Sequence, residues 1–480
     1  MNTPSTTDLR LFLHNTLSGK KEPFSCSKEV LLYTCGPTVY DYAHIGNFRT
    51  YVFEDILKRS LKYFGYKVRH VMNITDVDDK TIRRATERNE TLKTYTEKYI
   101  EAFLQDVDQL GIERADIYPR ATDYISEMIS FIEILIDKGV AYIGSDHSVY
   151  FSVSKFPRYG KLSDLNLSEL SSTSPTELDE YEKDYVGDFA LWKSYNKERD
   201  GNIYWESPWG KGRPGWHIEC STMAMHTLGQ TIDIHAGGVD NIFPHHENEI
   251  AQSESLTEKD FSRFWMHSEH LLVNGKKMSK SLGNFFTLRD LLDKGYQGKE
   301  IRFLLLQSHY RMQLNFTKDS LDGCCSALRR LESFVNRLKS IPEITSPTPV
   351  RELVLTITNK FMTSFTTALG NDLNIAVGIA SLFELAKEIN ELLCAKDISY
   401  QESQVILDAL KRANSVLNIL SLESKKTPIP ENVVLLAQKR DEARKERNWL
   451  LADSLREQIS LLGYEIKDTK GGYELTPLGK

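Results

Sequence analysis

The sequence has no apolar run long enough to cross a membrane, and the segment before Lys28 has no basic stretch followed by an apolar one. These absences argue against helical membrane spans and against a secretory leader. The six cysteines show no regular spacing, which argues against a disulfide framework. We therefore expect a cytoplasmic protein without a membrane partner, whose cysteines are free thiols or metal ligands.

An excess of positive charge is also missing, since 60 Lys and Arg residues stand against 67 Asp and Glu residues, for a net charge of −7. Any contact with nucleic acid must therefore come from a local basic surface. The length of 480 residues is sufficient for about two to four domains with full cores.

The first informative stretch covers residues 28–75. An apolar run at residues 30–33 predicts a buried strand that a Gly-Pro pair ends. After Gly46, apolar residues recur every three or four positions and predict an amphipathic helix, and residues 68–74 begin a second strand. The first loop therefore lies at the carboxyl end of a parallel strand, where α/β sheets bind their ligands.

Three side chains of this loop carry chemistry. His44 and Asn47 lie at the predicted helix start, where free N–H groups and the helix dipole favour phosphate. Cys35 offers a thiol a few residues earlier. Each also has a structural interpretation, because a buried cysteine packs like a small hydrophobe and a histidine before a glycine is often a turn residue.

An acidic cluster of Asp76, Asp78 and Asp79 follows the second strand. It could hold a cation, but a lysine and an arginine pair follow within helical reach, so we interpret the cluster as structural or helix-capping. Residues 81–140 are predicted to be mostly helical, and strands return at residues 142–157.

Trp205, Trp209 and Trp216 lie among Gly and Pro residues and could line a pocket, or could pack a loop. Farther along, a short strand leads into a glycine-rich loop, and Pro-His-His-Glu-Asn-Glu is predicted to open a helix. His245 and Glu249 are four residues apart and would project from one face of that helix.

Ligands for a zinc ion can be assembled from these parts. Cys35 and Cys220 offer thiolates, His245 an imidazole and Glu249 a carboxylate, and Zn²⁺ accepts all three donor types. No short ligand motif marks this set, because the four residues are far apart in the sequence. A third stretch, Lys-Lys-Met-Ser-Lys-Ser from residue 276, could close over a polyphosphate or could be a solvated run of charge.

The combination of these stretches resembles a known family. His-Ile-Gly-Asn after the first strand, with Lys-Met-Ser-Lys-Ser roughly 230 residues later, resembles the signature pair of class I aminoacyl-tRNA synthetases. Longer phrases resemble the cysteinyl-tRNA synthetases among them, including Tyr-Thr-Cys-Gly-Pro-Thr-Val-Tyr-Asp, Gly-Trp-His-Ile-Glu-Cys-Ser and Phe-Pro-His-His-Glu-Asn-Glu-Ile. The resemblance extends from about residue 10 to about residue 475.

The resemblance implies a ligase that uses ATP, with Mg²⁺, to activate cysteine and transfers it to the 3′ end of the cysteine tRNA. The family's zinc ligands fall on Cys35, Cys220, His245 and Glu249. The same resemblance assigns catalysis to His44, Asn47, Lys277 and Lys280. ATP binding adds Gly46 and Ser279, and the implied cysteine pocket consists of Gly36, Thr38, Thr75, Trp216, His235 and Asp240. Asn47 departs from the general class I motif, which has a second histidine there, so its role stays open.

The implied fold is α/β, a Rossmann-like parallel-sheet catalytic domain with an insertion, followed by an all-α helical bundle and a small C-terminal module. The boundaries that we predict are 1–120 and 211–298 for the two halves of the catalytic domain, 121–210 for the insertion, 299–424 for the bundle and 425–480 for the module. Cys324, Cys325 and Cys394 fall within helical patterns and are predicted to be packing residues.

The C-terminal module carries a basic helix beside Trp449. In the family this end reads the anticodon, and Arg444, Trp449 and Asp453 match its spacing, although Tyr473 stands where a Trp is usual. Without the resemblance, a charged surface helix with one packing Trp is the simpler interpretation.

Two other functions of the whole chain stay open, a cysteine ligase that acts on a small amine and a non-catalytic RNA-binding paralogue. We expect a monomer.

Overall fold

The computed structural model describes residues 10–164, 187–279, 283–343, 348–422, 430–469 and 472–477. Lys280 lies outside these ranges. The ranges also omit most of residues 163–184, which are rich in Ser, Glu and Asp and are predicted to form an exposed insertion, and most of residues 425–430, which are predicted to form a linker. The chain divides into two compact units, residues 1–420 and 421–480. None of the helices in the described ranges is long and apolar enough to cross a membrane.

A parallel sheet forms the centre of the first unit, as the sequence predicts. Its strands follow an antiparallel hairpin of β1 (Phe12–Asn15) and β2 (Lys20–Pro23). They are β3 (Glu29–Thr34), β4 (Lys67–Met72), β9 (Ile232–Gly238) and β10 (Ser262–Ser268), in the spatial order β10-β9-β3-β4. Helix α1 (Ile45–Tyr63) connects β3 to β4, so the loop after β3 lies at the carboxyl edge of the sheet.

The chain between β4 and β9 forms helices and a second sheet of four antiparallel strands. Its elements are α2 (Asp79–Glu87), α3 (Leu92–Gln109), α4 (Ile125–Asp137), β5 (Ala141–Ile143), β6 (Val149–Phe151), β7 (Phe189–Ser194), α5 (Lys197–Asp200), β8 (Gly212–Pro214) and α6 (Trp216–Leu228). Helix α7 (Glu247–Thr257) connects β9 to β10 and carries Glu249.

The remaining elements are mostly helical and include the predicted bundle. They are β11 (Leu271–Val273), β12 (Lys276–Lys277), α8 (Leu288–Asp293), α9 (Gly298–Leu305), β13 (Leu314–Phe316), α10 (Lys318–Lys339), α11 (Glu352–Gly370), α12 (Ile375–Cys394), α13 (Tyr400–Leu417), α14 (Glu431–Lys445), α15 (Trp449–Leu461), β14 (Tyr464–Thr469) and β15 (Gly472–Pro477). Cys324 and Cys325 are buried as predicted, but Cys394 is exposed, because the last turn of α12 reaches the surface.

The acidic cluster after β4 has structural roles, as interpreted from the sequence. Asp78 is the N-cap of α2 and accepts a hydrogen bond from the N–H of Thr81. Asp76 accepts hydrogen bonds from the backbone and side chain of Thr122. Asp79 pairs with Lys193 at 3.0 Å and also with Arg213. These carboxylates therefore cap α2 and attach it to β7 and β8.

Candidate functional site

The start of α1 fixes His44 through a reciprocal capping box. The Asn47 N–H donates to Nδ1 of His44 at 3.1 Å, and Oδ1 of Asn47 accepts from the His44 N–H at 3.1 Å. Since Nδ1 accepts, a neutral His44 carries its proton on Nε2. Asn47, whose role the sequence left open, therefore sets the orientation and tautomer of His44.

The signature loop after β12 lies against the start of α1. Ile45 N–H donates to the carbonyl of Phe286 at 3.0 Å. A Cβ added to Gly46 would lie only 3.1 Å from Cε of Met278, so the absence of a side chain lets this loop approach the helix. Lys277 is 76% exposed, and its ammonium lies 3.8 Å from Asp240. The two halves of the sequence signature are therefore adjacent.

Three of the residues assigned to the cysteine pocket lie together at the carboxyl edge of the sheet. Thr38 and Thr75 form a parallel bridge, and the Gly36 N–H donates to Oδ1 of Asn73 at 2.9 Å. Asn73 also donates from Nδ2 to Oγ1 of Thr75 at 3.1 Å. No pattern in the sequence singles out Asn73, because its role depends on the approach of two strand ends.

The other residues assigned to that pocket are more dispersed. Trp216 stacks on the ring of His245, with 4.3 Å between centroids, and is 42% exposed. His235 is completely buried beside Glu249, and burial lowers its pKa to about 3. Asp240 faces outward, 66% exposed, and lies 3.4 Å from the Nε2 of His270. Trp209 packs against Trp192, which supports a loop-packing role for that residue.

The four residues predicted to bind metal converge in the interior. Single donor atoms of Cys35, Cys220, His245 and Glu249 all lie within 4.8 Å of one another, and all four residues are buried. Nε2 of His245 lies 3.1 Å from Oε1 of Glu249. The α-helix begins at Glu247, whereas residues 242–246 form a wider π-type turn. Only Phe243 has a non-helical backbone in this turn, so the helical segment that carries His245 and Glu249 begins at Pro244, as the sequence predicts.

A second donor set overlaps the first. Cys35, His235, His246 and Glu249 also lie within 4.8 Å of one another. Nε2 of His246 lies 3.2 Å from the Cys35 sulfur, and its Nδ1 lies 2.8 Å from Nε2 of His267. No sequence pattern pointed to His246 or His267, although a histidine inside the apolar strand β10 is a signal that could have drawn attention to the latter.

The electrostatics of the first set suit a divalent cation. A hydrogen bond with the Cys35 thiol holds the pKa of Cys220 well below its usual range. Burial raises the pKa of Cys35 and of Glu249 well above their usual ranges. Oε1 of Glu249 is buried, and its 3.1 Å contact with Nε2 of His245 lacks the geometry of a hydrogen bond, so this oxygen accepts no hydrogen bond from the described groups. Two sulfurs, one imidazole and an unsatisfied carboxylate oxygen in a buried cluster are a fitting donor set for a metal ion.

The second unit brings together the three residues assigned to the anticodon. The guanidinium of Arg444 lies 5.9 Å from the ring centroid of Trp449, which is 56% exposed on α15. Asp453 is exposed one helical turn after Trp449. Arg440 and Arg444 both pair with Asp468, so part of the predicted basic face is neutralised within the unit.

Comparison with known proteins gives one consistent result. The family described as tRNA synthetases class I (C) catalytic domain matches residues 22–326, and the DALR domain matches residues 364–422. The chain is 56% identical to the cysteine–tRNA ligase of Chlamydia felis over 480 residues, 100% of each chain, and 57% identical to that of Chlamydia pneumoniae over 469 residues, 98% of each. A Mycobacterium tuberculosis methionyl-tRNA synthetase in complex with methionyl-adenylate shares the fold, with a TM-score of 0.63 and 13% identity over 82% of this chain and 92% of that one. The chain therefore belongs to the cysteine–tRNA ligase family of the class I tRNA synthetases.

Proposed function

We propose that this chain activates cysteine with ATP and transfers the cysteinyl group to the 3′ end of the cysteine tRNA. The observation that carries the proposal is the buried cluster of two thiols, one imidazole and one carboxylate beside the capped start of α1. A metal site with sulfur ligands suits a thiol substrate, and a helix start suits the phosphates of a nucleotide. Both lie at the same edge of the sheet, so the two substrates can bind side by side. The relatives named as cysteine–tRNA ligases support the same substrate pair.

We propose that Cys35, Cys220, His245 and Glu249 hold one Zn²⁺ ion. This set is preferred over the one with His235 and His246 because it contains a second sulfur, Cys220, whose pKa is already lowered by Cys35. Bound there, zinc would ligate the substrate as a thiolate, which serine cannot match. Selection by a ligand that the competitor lacks can reach about 10⁴-fold without an editing site.

The pocket residues would bind the rest of the amino acid. Gly36, Thr38 and Thr75 present backbone groups and hydroxyls at the sheet edge, and Trp216 covers the cluster through its stack on His245. Asp240 is a reasonable partner for the substrate ammonium, which would take the place of Lys277 beside this carboxylate. This replacement would leave Lys277 available to bind ATP.

The first reaction step needs positioning and charge stabilisation. A carboxylate oxygen of cysteine attacks the α-phosphorus of ATP, and the bond from that phosphorus to pyrophosphate breaks. His44, held by Asn47, would donate from Nε2 to the phosphates, and Gly46 allows Met278 and the signature loop to approach. Lys277, Ser279 and Lys280 would stabilise the departing pyrophosphate, which Mg²⁺ accompanies. A terminal ribose hydroxyl of the tRNA then attacks the acyl carbon and releases AMP.

Recognition of the tRNA would use the second unit as well. Trp449 offers an exposed ring for stacking a base, Asp453 can accept from an exocyclic amine, and Arg444 lies beside the ring. We propose that the monomer is the active form, because a single chain supplies the metal cluster, α1 and the signature loop. We also propose that it acts in the cytoplasm, as expected from the sequence.

Cysteine-dependent exchange of pyrophosphate into ATP tests the proposal. We expect rapid exchange with cysteine and none with serine, and we expect Cys220→Ser to lose both the exchange and the bound zinc. Cys325→Ser, a buried cysteine of α10, is the matched control and should keep both. Absence of exchange by intact, zinc-loaded protein would overturn the proposed function.

A further inference from the structure

Four cations form a surface beside the loop after β3, which carries His44 and is called the catalytic loop below. We call this surface the cationic ledge. Lys80, Arg84 and Arg88 follow one another at intervals of four residues along α2 and its C-terminal cap, and Lys98 lies on α3. Residues four apart project from the same side of a helix, so the first three form one row. None of the ion pairs found among the described residues involves any of the four.

Three of the neighbouring acids on the same helices pair with cations outside the ledge. Asp79 binds Lys193 and Arg213, and Glu97 pairs with Arg120 at 2.7 Å. Glu87 lies 3.9 Å from Arg83, which projects from another side of α2. The positive charge of the row is therefore not balanced by these carboxylates.

Aromatic rings lie directly under the ledge. Lys80 lies 5.0 Å from the ring centroid of Tyr40, and Lys98 lies 5.3 Å from that of Tyr99. The guanidinium of Arg88 lies 5.6 Å from the centroid of Tyr95. The Tyr95 hydroxyl donates to the carbonyl of Tyr40 at 2.6 Å. Because Tyr40 precedes His44 by four residues in the same loop, the ledge is attached to the catalytic loop.

Contacts with the tyrosine rings hold three of these cations in place, but the spacing of the charges does not favour the helix. Like charges four residues apart repel and destabilise a helix. Lys80 also lies in the first turn of α2, where the helix dipole disfavours a cation. Lys80, Arg88 and Lys98 are exposed and Arg84 is half-buried, whereas the rings of Tyr95 and Tyr99 are buried beneath them. Cations presented to solvent in a row suit the phosphates of single-stranded nucleic acid.

We propose that the cationic ledge binds the phosphates of the single-stranded 3′ end of the tRNA and guides its terminal ribose to the catalytic loop. This inference rests on the proposed function, since the 3′ end is the part of the tRNA that must reach His44. The basic residues of α14 are in the second unit, so the ledge is a separate contact of the first unit.

The test compares two proteins. In the double variant, Arg84 and Arg88 are both replaced by Ala, and in the control, Arg83→Ala removes an exposed arginine of the same helix. Aminoacylation kcat/KM for the tRNA should fall about tenfold in the double variant and stay within about twofold of the parent in the control. Cysteine-dependent pyrophosphate exchange should fall far less than aminoacylation. The slope of log kcat/KM against log salt concentration should become shallower by about 1.4, since each of the two lost contacts with a single strand contributes about 0.7. The charge-preserving double variant with lysines should recover most of the loss.

A binding assay separates the ledge from catalysis. Removal of the single-stranded 3′ end from labelled tRNA should weaken binding to the parent protein about tenfold but leave binding to the double variant almost unchanged. Equal sensitivity of both proteins to this truncation, or unchanged aminoacylation by the double variant, would overturn the inference. Loss of exchange and aminoacylation in equal measure would also overturn it. Absence of exchange in the parent protein would instead remove the proposed function.

Discussion

Gly36 is the position where a single methyl group should have the largest effect on the proposed cysteine pocket. A Cβ at this residue would lie 1.8 Å from the carbonyl oxygen of Asn73 and 2.9 Å from Cγ of Met72. Observed contacts of a Cβ essentially never fall below 3.0 Å, so the two strand ends must separate by at least 1.2 Å, the difference between 3.0 and 1.8 Å. Gly36→Ala therefore moves backbone at the pocket.

The magnitude follows from the hydrogen bonds that hold the strand ends together. Gly36 N–H donates to Asn73 Oδ1 at 2.9 Å, Thr75 N–H to the Pro37 carbonyl at 3.0 Å, and Val39 N–H to the Thr75 carbonyl at 3.1 Å. Loss of three such bonds lowers the free energy of unfolding by about 2–4 kcal/mol. A displacement of about 1 Å at a reacting group can reduce the rate about 100-fold. We expect a loss of that size in kcat/KM for cysteine.

Urea unfolding and cysteine-dependent pyrophosphate exchange measure the two effects. The matched control is Gly323→Ala on α10, where an added Cβ meets nothing within 4 Å. There the same substitution should raise the free energy of unfolding by about 0.5–1 kcal/mol and leave exchange unchanged. An unaltered kcat/KM for cysteine together with an unaltered urea midpoint in Gly36→Ala would refute the reasoning.

Three further predictions concern the metal, the helix cap and the acid range. Chelation should lower the thermal midpoint of the parent protein and of Cys325→Ser but not of Cys220→Ser. The reason is that a metal that binds only the folded state adds about 4 kcal/mol to the free energy of unfolding when its concentration is a thousand times its Kd. An equal response of all three proteins would contradict the proposed metal site. Asn47→Ala should lower the free energy of unfolding, measured by urea titration, by about 1 kcal/mol. Asn47→Asp should not lower it, because aspartate keeps the oxygen that accepts from the His44 N–H. Equal losses in the two variants would contradict a stabilising role of this capping box. Although burial opposes its ionisation, hydrogen bonds from Arg351 hold the pKa of Glu402 at about 2. The depressed pKa contributes stability above about pH 4.3, which is lost as pH falls toward 2, so the urea midpoint of Glu402→Gln should fall less steeply than that of the parent in this window.

Much of the first unit was predictable because its signals are local. The apolar run of β3, the Gly-Pro break and the stripe of α1 each depend on residues near one another in the sequence, and all three are present in the structure. The acidic residues after β4 were interpreted as structural from the basic residues that follow them, and Asp78 does cap α2. The helical segment that begins at Pro244 was predicted from the proline, but the π-type hydrogen bonding of its first turn was not, because such a turn has no distinct sequence pattern.

The tertiary structure decided how distant residues share space. The sequence pointed to Cys35, Cys220, His245 and Glu249 as donors, but it did not reveal that His246 lies 3.2 Å from the same sulfur as a competing donor. That proximity depends on the approach of α7 to the end of β3, which no local pattern encodes.

The sequence by itself determined the residue types that can bind phosphate, thiolate and metal, and it placed each on a strand end, loop or helix start, because these properties follow from side-chain chemistry and local periodicity. Only the tertiary structure decided that Asp240 faces Lys277 and that Gly36 is required by a backbone carbonyl that follows the next strand. Each of these depends on distances between chain segments brought together by packing of the whole unit.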